Sequence, residues 1–366
     1  MKDLDDTTAI AKLDSTNVLG EIERFADQCR QAWTIGAATD DLPDADGVEN
    51  VVVLGMGGSG ISGDVVQAIV EPRLGVPLRT IKGYGPLPEW IGRNSLVFAV
   101  SYSGETEETL EAFEEAHHRG ARAVAVSSGG RLGELATSYA VAHVKIPGGL
   151  QPRAALGFLA LPVLAVLVEI GLVPDCSDDV EETVATLADI AKRCGRQVGT
   201  EENLAKQLAR SVHGRVPVVY GGLGLGGVAA YRFKCDLNEY GKSIAFYNVI
   251  PELDHNELES WGTFAELTSD KFVGVLLRDS GEHQRVALRF DLTRKLMEER
   301  LATIVQVHSE GTSALARLLS LVMITQLAAI YVGLLNERDP GPVAVLEKLK
   351  QQLKDTNEGV VDDRRG

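Results

Sequence analysis

Apolar and polar positions along this chain fall into blocks of two periods. Short apolar runs with β-branched residues predict strands at Asn50–Leu54, Pro77–Ile81, Ser95–Ser101, Arg122–Val126 and Tyr139–Ile146. Between them the spacing turns helical, at Ser62–Val70, Glu107–Arg119 and a short stretch before Tyr139. Upstream, residues 9–35 read as one amphipathic helix with Leu13, Val18, Leu19, Ile22, Phe25 and Ala26 on one broad face, and the polar stretch Ala37–Glu49 reads as a linker. Strands alternating with helices imply βαβ units and a parallel sheet. Residues 154–194 read as helices bridging two halves. The strand pattern then restarts at Arg215–Tyr220 and continues through Ser243–Asn248, Lys271–Leu277 and Thr303–Val307. A helix at Gly227–Leu237, a long apolar helix at 312–334 and a charged amphipathic helix after Pro342 accompany it, with a disordered end from Thr356. Two openings of the kind strand, glycine-rich turn, helix suggest two related α/β halves. The second has glycines at Gly221-Gly222-Leu223-Gly224 but lacks the serines of the first.

Composition supports this reading. The 366 residues are a soft prior for two domains or one large one. Glycine is abundant at 38 residues and aromatics are scarce at 5%, which suits α/β turns better than an all-β sandwich. The net charge of −16 argues against nonspecific partners such as nucleic acid or an anionic membrane. Cys29, Cys176, Cys194 and Cys235 are far apart and form no CxxC pair, so neither a zinc site nor a disulfide framework is indicated and a reduced, cytoplasmic setting fits. Met1–Thr8 is acidic and has no signal-peptide core. No uninterrupted apolar run reaches the ~18 residues of a membrane span. The longest candidate, Ala154–Leu172, contains Pro162 and Glu169 and reads as a buried helix.

The candidate chemistry starts at two turns. Asn50–Leu54 runs into Gly55-Met56-Gly57-Gly58-Ser59-Gly60, where glycines let the backbone approach an anion and the next helix points its first N–H groups at a phosphate. Gly55, Gly57 and Gly60 approximate a dinucleotide fingerprint, but the second strand ends Thr80-Ile81-Lys82 with no acidic residue, which disfavours NAD. No Gly-Lys-Ser/Thr follows, so the Walker pattern is absent. The third strand ends in Ser101-Tyr102-Ser103-Gly104-Glu105-Thr106, whose hydroxyls lie at a strand's carboxyl end, where α/β sheets bind ligands. Serine and threonine donate to a phosphate without adding charge. The alternative is that both turns are simply capped helix starts.

At these turns the chain resembles a sugar isomerase (SIS) domain. Over residues 50–353 it resembles the bifunctional phosphoglucose/phosphomannose isomerases, through LGMGGSGISGD, AVSYSGETEET, SSGGRL, PRAALG, NEYGK, PELDHNE and a final LKQQL in the family's order. The resemblance implies an α/β fold of two SIS domains, each a doubly wound parallel sheet flanked by helices. The boundaries expected are 1–160 for the N-terminal helix and first domain, 161–195 for the bridge, 196–353 for the second domain with its C-terminal helix, and 354–366 for a disordered tail. It implies interconversion of glucose 6-phosphate, and with it mannose 6-phosphate, with fructose 6-phosphate by a cis-enediol proton transfer, in a homodimer and without metal or other cofactor. A non-catalytic SIS sensor of sugar phosphates is the alternative from another class, since a sensor needs only the phosphate turns.

The resemblance assigns the phosphate to Ser59, Ser101, Ser103 and Thr106, with backbone from Gly57 and Gly58. Glu239 matches the family's base, and a carboxylate of tuned pKa suits that task. A solvated helix-end carboxylate is the alternative. Arg153 precedes an apolar helix, where a helix start ordinarily prefers anions, and its permanent charge suits a negative enediolate. A structural ion pair with Glu169 or Asp64 remains open. His255, in a polar loop and with an ordinary pKa of about 6.5, suits proton transfer to a ring oxygen. In the family it reaches the neighbouring subunit's site. Leu346, Leu349 and Leu353 form one helical stripe. Lys350 lies beside it and Lys348 points further away, so the family's substrate-contacting lysine maps best onto Lys350, with a solvated lysine as the alternative. One departure concerns a Thr-Pro that family members carry before this helix. Here the segment reads Asp339-Pro340-Gly341-Pro342, and Gly341 leaves space but supplies no hydroxyl, which weakens the expectation for mannose 6-phosphate. His117-His118, His143, His213, His283 and His308 have no ligand-spaced partners. Lys242 is a second candidate cation near the site.

Overall fold

The computed structural model describes residues 3–363. Three helices come first, α1 (Thr7–Leu13), α2 (Val18–Glu23) and α3 (Phe25–Ala37). The single helix expected over 9–35 is therefore broken twice. The first break is a turn at Asp14–Asn17. The buried Asp14 carboxylate accepts the N–H groups of Val18 and Leu19, both at 2.9 Å, and so caps α2. Asn17 takes a left-handed φ of 55°.

The first sheet follows as β1 (Asn50–Leu54), α4 (Gly57–Val70), β2 (Leu78–Ile81), β3 (Ser95–Val100), α5 (Glu107–His118), β4 (Arg122–Ser127), α6 (Gly130–Ser138) and β5 (Ala142–Lys145). Its order is β2-β1-β3-β4-β5, all parallel. β3 is buried along its whole length and β1 and β4 nearly so, as expected of strands covered by helices on both faces. The last strand is shorter than its apolar run suggested, because Tyr139 closes α6 and Ala140 turns with a φ of 52°.

Two bridging helices, α7 (Leu156–Glu169) and α8 (Ser177–Cys194), lead through α9 (Leu204–Val212) to the second sheet. That sheet comprises β6 (Val216–Gly222), α10 (Leu225–Glu239), β7 (Phe246–Ile250), α11 (Glu257–Ser260), α12 (Ala265–Lys271), β8 (Phe272–Arg278), α13 (Gln284–Met297) and β9 (Thr303–His308), in the parallel order β7-β6-β8-β9. β7 begins at Phe246, later than the run from Ser243 suggested. The chain ends with α14 (Ala314–Leu335) and α15 (Ala344–Asp363). α15 runs through the end expected to be disordered from residue 354 as far as Asp363; residues 364–366 lie outside the described residues.

Apolar helices fill the space between the sheets. α7 is buried from Leu156 to Leu167 and packs on α3 and α4, while α14 packs on α8, α9 and α10. α14, not the stretch from Ala154, is the helix long and apolar enough to cross a membrane, and its apolar window is wholly buried in this core. Both sheets reverse their winding once, between β1 and β3 and between β6 and β8. Open α/β sheets bind ligands in the crevice at such a point.

Candidate active site

The first crevice is framed by the turns after β1 and β3. Gly57 has a φ of +53° and no atom within 4 Å of where a Cβ would stand, so this turn is open as well as left-handed. The first N–H groups of α4 have no intrahelical partner and face outward. A Cβ on Gly55 would meet the Val100 carbonyl oxygen at 3.0 Å, which brings the two turns together. Ser59 is buried, and its Oγ accepts the Tyr102 N–H at 3.4 Å. Ser101 is also buried; its Oγ accepts the Gly104 N–H at 3.2 Å and shares a hydrogen with Thr106 Oγ1 at 2.9 Å. Ser103 is exposed and Thr106 partly so. Of the four hydroxyls expected on the phosphate, Ser103 and Thr106 are thus open to a ligand. Ser59 and Ser101 hold the turns in shape.

The glycine turn abuts the Arg153 segment. A Cβ on Gly58 would stand 3.1 Å from the carbonyl oxygen of Pro152. Pro152–Ala154 form a 3-10 turn ahead of α7, and Arg153 is buried there. Its Nη1 lies 3.4 Å from Glu239 Oε2, at the end of α10. Its Nη2 donates to the carbonyls of Pro340, at 3.3 Å, and Gly341. Its guanidinium sits 4.9 Å from the centre of the Tyr240 ring. Asp64, one partner left open by the sequence, pairs with Lys82 instead. Arg153 Nε is buried and has no hydrogen-bond partner among the described residues. A buried cationic N–H of this kind is costly unless a ligand oxygen satisfies it.

A second ring of residues fixes this arginine. Arg232 donates to the Arg153 carbonyl and, through Nε, to Asp236 at 2.9 Å, and Gln326 Nε2 donates to the same carbonyl at 3.1 Å. Burial pushes the Asp236 carboxyl up to about 6, against the pull of Arg232. Lys242 Nζ donates to the Glu239 carbonyl at 2.6 Å and to those of Pro340 and Pro342. Burial, reinforced by the Arg153 charge, pulls Lys242 below the usual lysine range. The sequence reading missed Arg232, Asp236 and Gln326. A buried pair spaced i, i+4 on a mostly apolar helix was the available signal for the first two.

His255 and Lys350 make no hydrogen bond or ion pair with Arg153 or Glu239, although Leu346, one turn before Lys350, lines the same cavity as Glu239. His255 ends a 3-10 turn after β7 and is exposed, and Lys350 is exposed on α15. Neighbouring Asp254 anchors the His255 turn, accepting from Arg289 at 2.9 Å and from Thr293 at 2.8 Å. Among the described residues, no group of three or more His, Cys, Asp or Glu side chains is placed to hold a metal ion.

Residues 201–353 match the family described as bacterial phospho-glucose isomerase C-terminal SIS domain. A bifunctional phosphoglucose/phosphomannose isomerase of Caldicellulosiruptor bescii is 36% identical over 91% of this chain and 97% of its own length. One of Aquifex aeolicus is 37% identical over 84% of this chain and 91% of its own. Among solved structures, a glucose-6-phosphate isomerase like protein from Thermus thermophilus superposes with a TM-score of 0.59 at 22% identity, covering 96% of this chain and 99% of that one. That likeness shows the shared fold.

Proposed function

The chain belongs to the bifunctional phosphoglucose/phosphomannose isomerases and is a sugar-phosphate isomerase, and from that premise we propose that it interconverts glucose 6-phosphate and mannose 6-phosphate with fructose 6-phosphate through a cis-enediolate. The phosphate is held by the open turn at Gly57 and Gly58 and by the hydroxyls of Ser59, Ser101, Ser103 and Thr106. Ser59 and Ser101 pre-shape the two turns, so that little reorganisation accompanies binding.

With the phosphate anchored there, the reacting end of the sugar reaches Arg153 and Glu239. Glu239 removes the proton from C2 of the open aldose and returns it at C1. Charge then builds on the enediolate oxygen, and Arg153, fixed by Arg232 and Gln326 and with Nε free to donate, stabilises it without reorienting. A proton passes from O2 to O1 as well, so C2 is oxidised and C1 reduced within the sugar, with no external oxidant and no metal needed. His255 and Lys350 assist ring opening, with His255 supplied by a second copy of the chain. The first turn of α15 lines the same cavity as Glu239, which supports Lys350, and the exposure of His255, outside the Arg153–Glu239 contacts, supports its supply by a second copy. So do the exposed side chains of Leu346, Leu349 and Leu353 on α15 and of Ile244 and Phe246 beside it, an apolar surface suited to a subunit contact.

The observation that carries the reading is the buried Arg153, paired with Glu239 and left with an unsatisfied Nε. Glu239→Gln keeps the shape and removes the base. We expect kcat to fall by about 10²–10⁴-fold, with glucose 6-phosphate still bound. Proton exchange at C2 measures the loss directly. Exchange at the wild-type rate would remove Glu239 from the mechanism.

A further inference from the structure

The space expected beside Gly341 is occupied. A Cβ on Gly341 would lie 2.3 Å from Thr16 Oγ1, 3.3 Å from Asp339 Oδ1 and 3.3 Å from Gln151 Nε2. The hydroxyl that residue 341 lacks is therefore supplied from the other end of the chain, by the turn between α1 and α2. Thr16 itself is exposed, so its hydroxyl is open to a ligand.

Three sets of contacts hold this hydroxyl. Asp14 caps α2 and fixes the turn from one side. Ser15 Oγ donates to Asp339 Oδ2 and ties the turn to the segment before α15. Gln151 Nε2 donates to Thr16 Oγ1 at 3.3 Å, which leaves the threonine O–H free to donate elsewhere, and Gln151 Oε1 is buried without a partner among the described residues. Gln151 lies two residues from Arg153, and the Gly341 carbonyl is itself bonded to Arg153 Nη2. Thr16 and Gln151 thus stand beside the segments that carry Arg153 and Gly341, and Arg153 Nε and Gln151 Oε1 are both buried without a partner among the described residues.

Resting on the isomerase reading above, we propose that the Thr16 hydroxyl, oriented by Gln151, contacts the sugar at C2 and sets the balance between the glucose and mannose epimers. The two epimers differ only at C2, the carbon whose proton Glu239 transfers. A polar group held against Gly341, whose carbonyl is bonded to Arg153, is placed to meet that carbon's substituents. In ring-closed and open aldose alike the C2 hydroxyl points to opposite sides in the two epimers, so a fixed hydroxyl on one side cannot serve both equally. A side chain at 341 would displace the Thr16 hydroxyl from its present position.

The test uses the full-length protein and compares kcat/KM for glucose 6-phosphate and mannose 6-phosphate. Thr16→Val keeps the shape and removes the hydroxyl, and is expected to change the ratio of the two values by about fivefold or more, the worth of one hydrogen bond. Thr16→Ser is expected to keep the ratio within about twofold, and Thr16→Gly combined with Gly341→Thr to restore it toward wild type. A purely structural threonine would lower both values by the same factor, and that result, or an unchanged ratio, overturns the inference. Dissociation constants for the two sugar phosphates by calorimetry give the same ratio without turnover. If the wild type binds both sugars and isomerises neither, the isomerase reading fails, and the effect of Thr16→Val on the binding ratio still decides the role of Thr16.

Discussion

The two crevices of this molecule share a topology and differ in what fills them. Each lies where a parallel sheet reverses its winding, beside a glycine-rich turn that opens a helix. In the first, Gly57 is left-handed with open space around it, Ser103 is exposed and Thr106 partly so. The second is a cavity of about 260 Å³ between the turns after β6 and β8. Its ionic groups are already paired, Arg317 with Asp279 at 2.9 Å and Arg278 with Glu282. Its Gly224 is left-handed and open like Gly57, with a φ of +94°, but Gly221 serves a different purpose. A Cβ on Gly221 would stand 2.0 Å from the Gly226 carbonyl oxygen, so glycine is required there for the strand to close onto its helix. Glycine count is thus a poor guide to an anion site. The exposed hydroxyls of Ser103 and Thr106, against the paired Arg317–Asp279 and Arg278–Glu282, distinguish the first crevice from the second.

Three variants sharpen this contrast, in descending order of effect. Ser103→Ala with Thr106→Ala removes the two open hydroxyls. With about 1.5 kcal/mol or more for each hydrogen bond to a charged group, KM for glucose 6-phosphate should rise about 100-fold. Steady-state kinetics would show it, and an unchanged KM would mean that the backbone alone holds the phosphate. Gly221→Ala forces a methyl against backbone and should cost about 2–3 kcal/mol of stability, read from denaturant midpoints. If the variant is as stable as wild type, the second turn is looser than its geometry implies. Leu223→Ser places a hydroxyl in the second turn, at a side chain that is 77% exposed. Stability should stay within about 0.5 kcal/mol, and KM should not move. A change in KM would bring the second crevice into substrate binding.

Much of the architecture was legible in the sequence because its signals are local. Runs such as Val51–Leu54 and Leu96–Val100 can only be covered strands, and each glycine turn marks a strand's end. The site was legible more unevenly. Arg153 and Glu239 meet across the bridge between the two halves, and no periodicity records that meeting; similarity to known isomerases pointed to both. The turn at Asp14-Ser15-Thr16-Asn17 was read through as helix, because the apolar face from Leu13 to Val18 continues across it. Four consecutive turn-forming residues were the signal against that reading. The gap at Gly341 was visible in sequence, but the group that fills it lies near the opposite end of the chain and is found only in three dimensions. The persistence of α15 to Asp363 likewise exceeds what its composition suggested.

Arg153 also has an architectural role, since the carbonyls of Pro340 and Gly341, which lead into α15, are both bonded to its guanidinium. Under the proposed mechanism position 153 therefore answers to two demands, the charge the reaction would develop and the path of the chain. Lysine keeps the charge but not the planar fork that reaches a carboxylate and two carbonyls together. A lineage that abandoned isomerisation would still be held to arginine here until the entry to its last helix had been rebuilt. Retention of this residue in a relative is accordingly weak testimony to activity. Glu239, whose carboxylate pairs with Arg153 and holds no distant segment in place among the described residues, is the better witness.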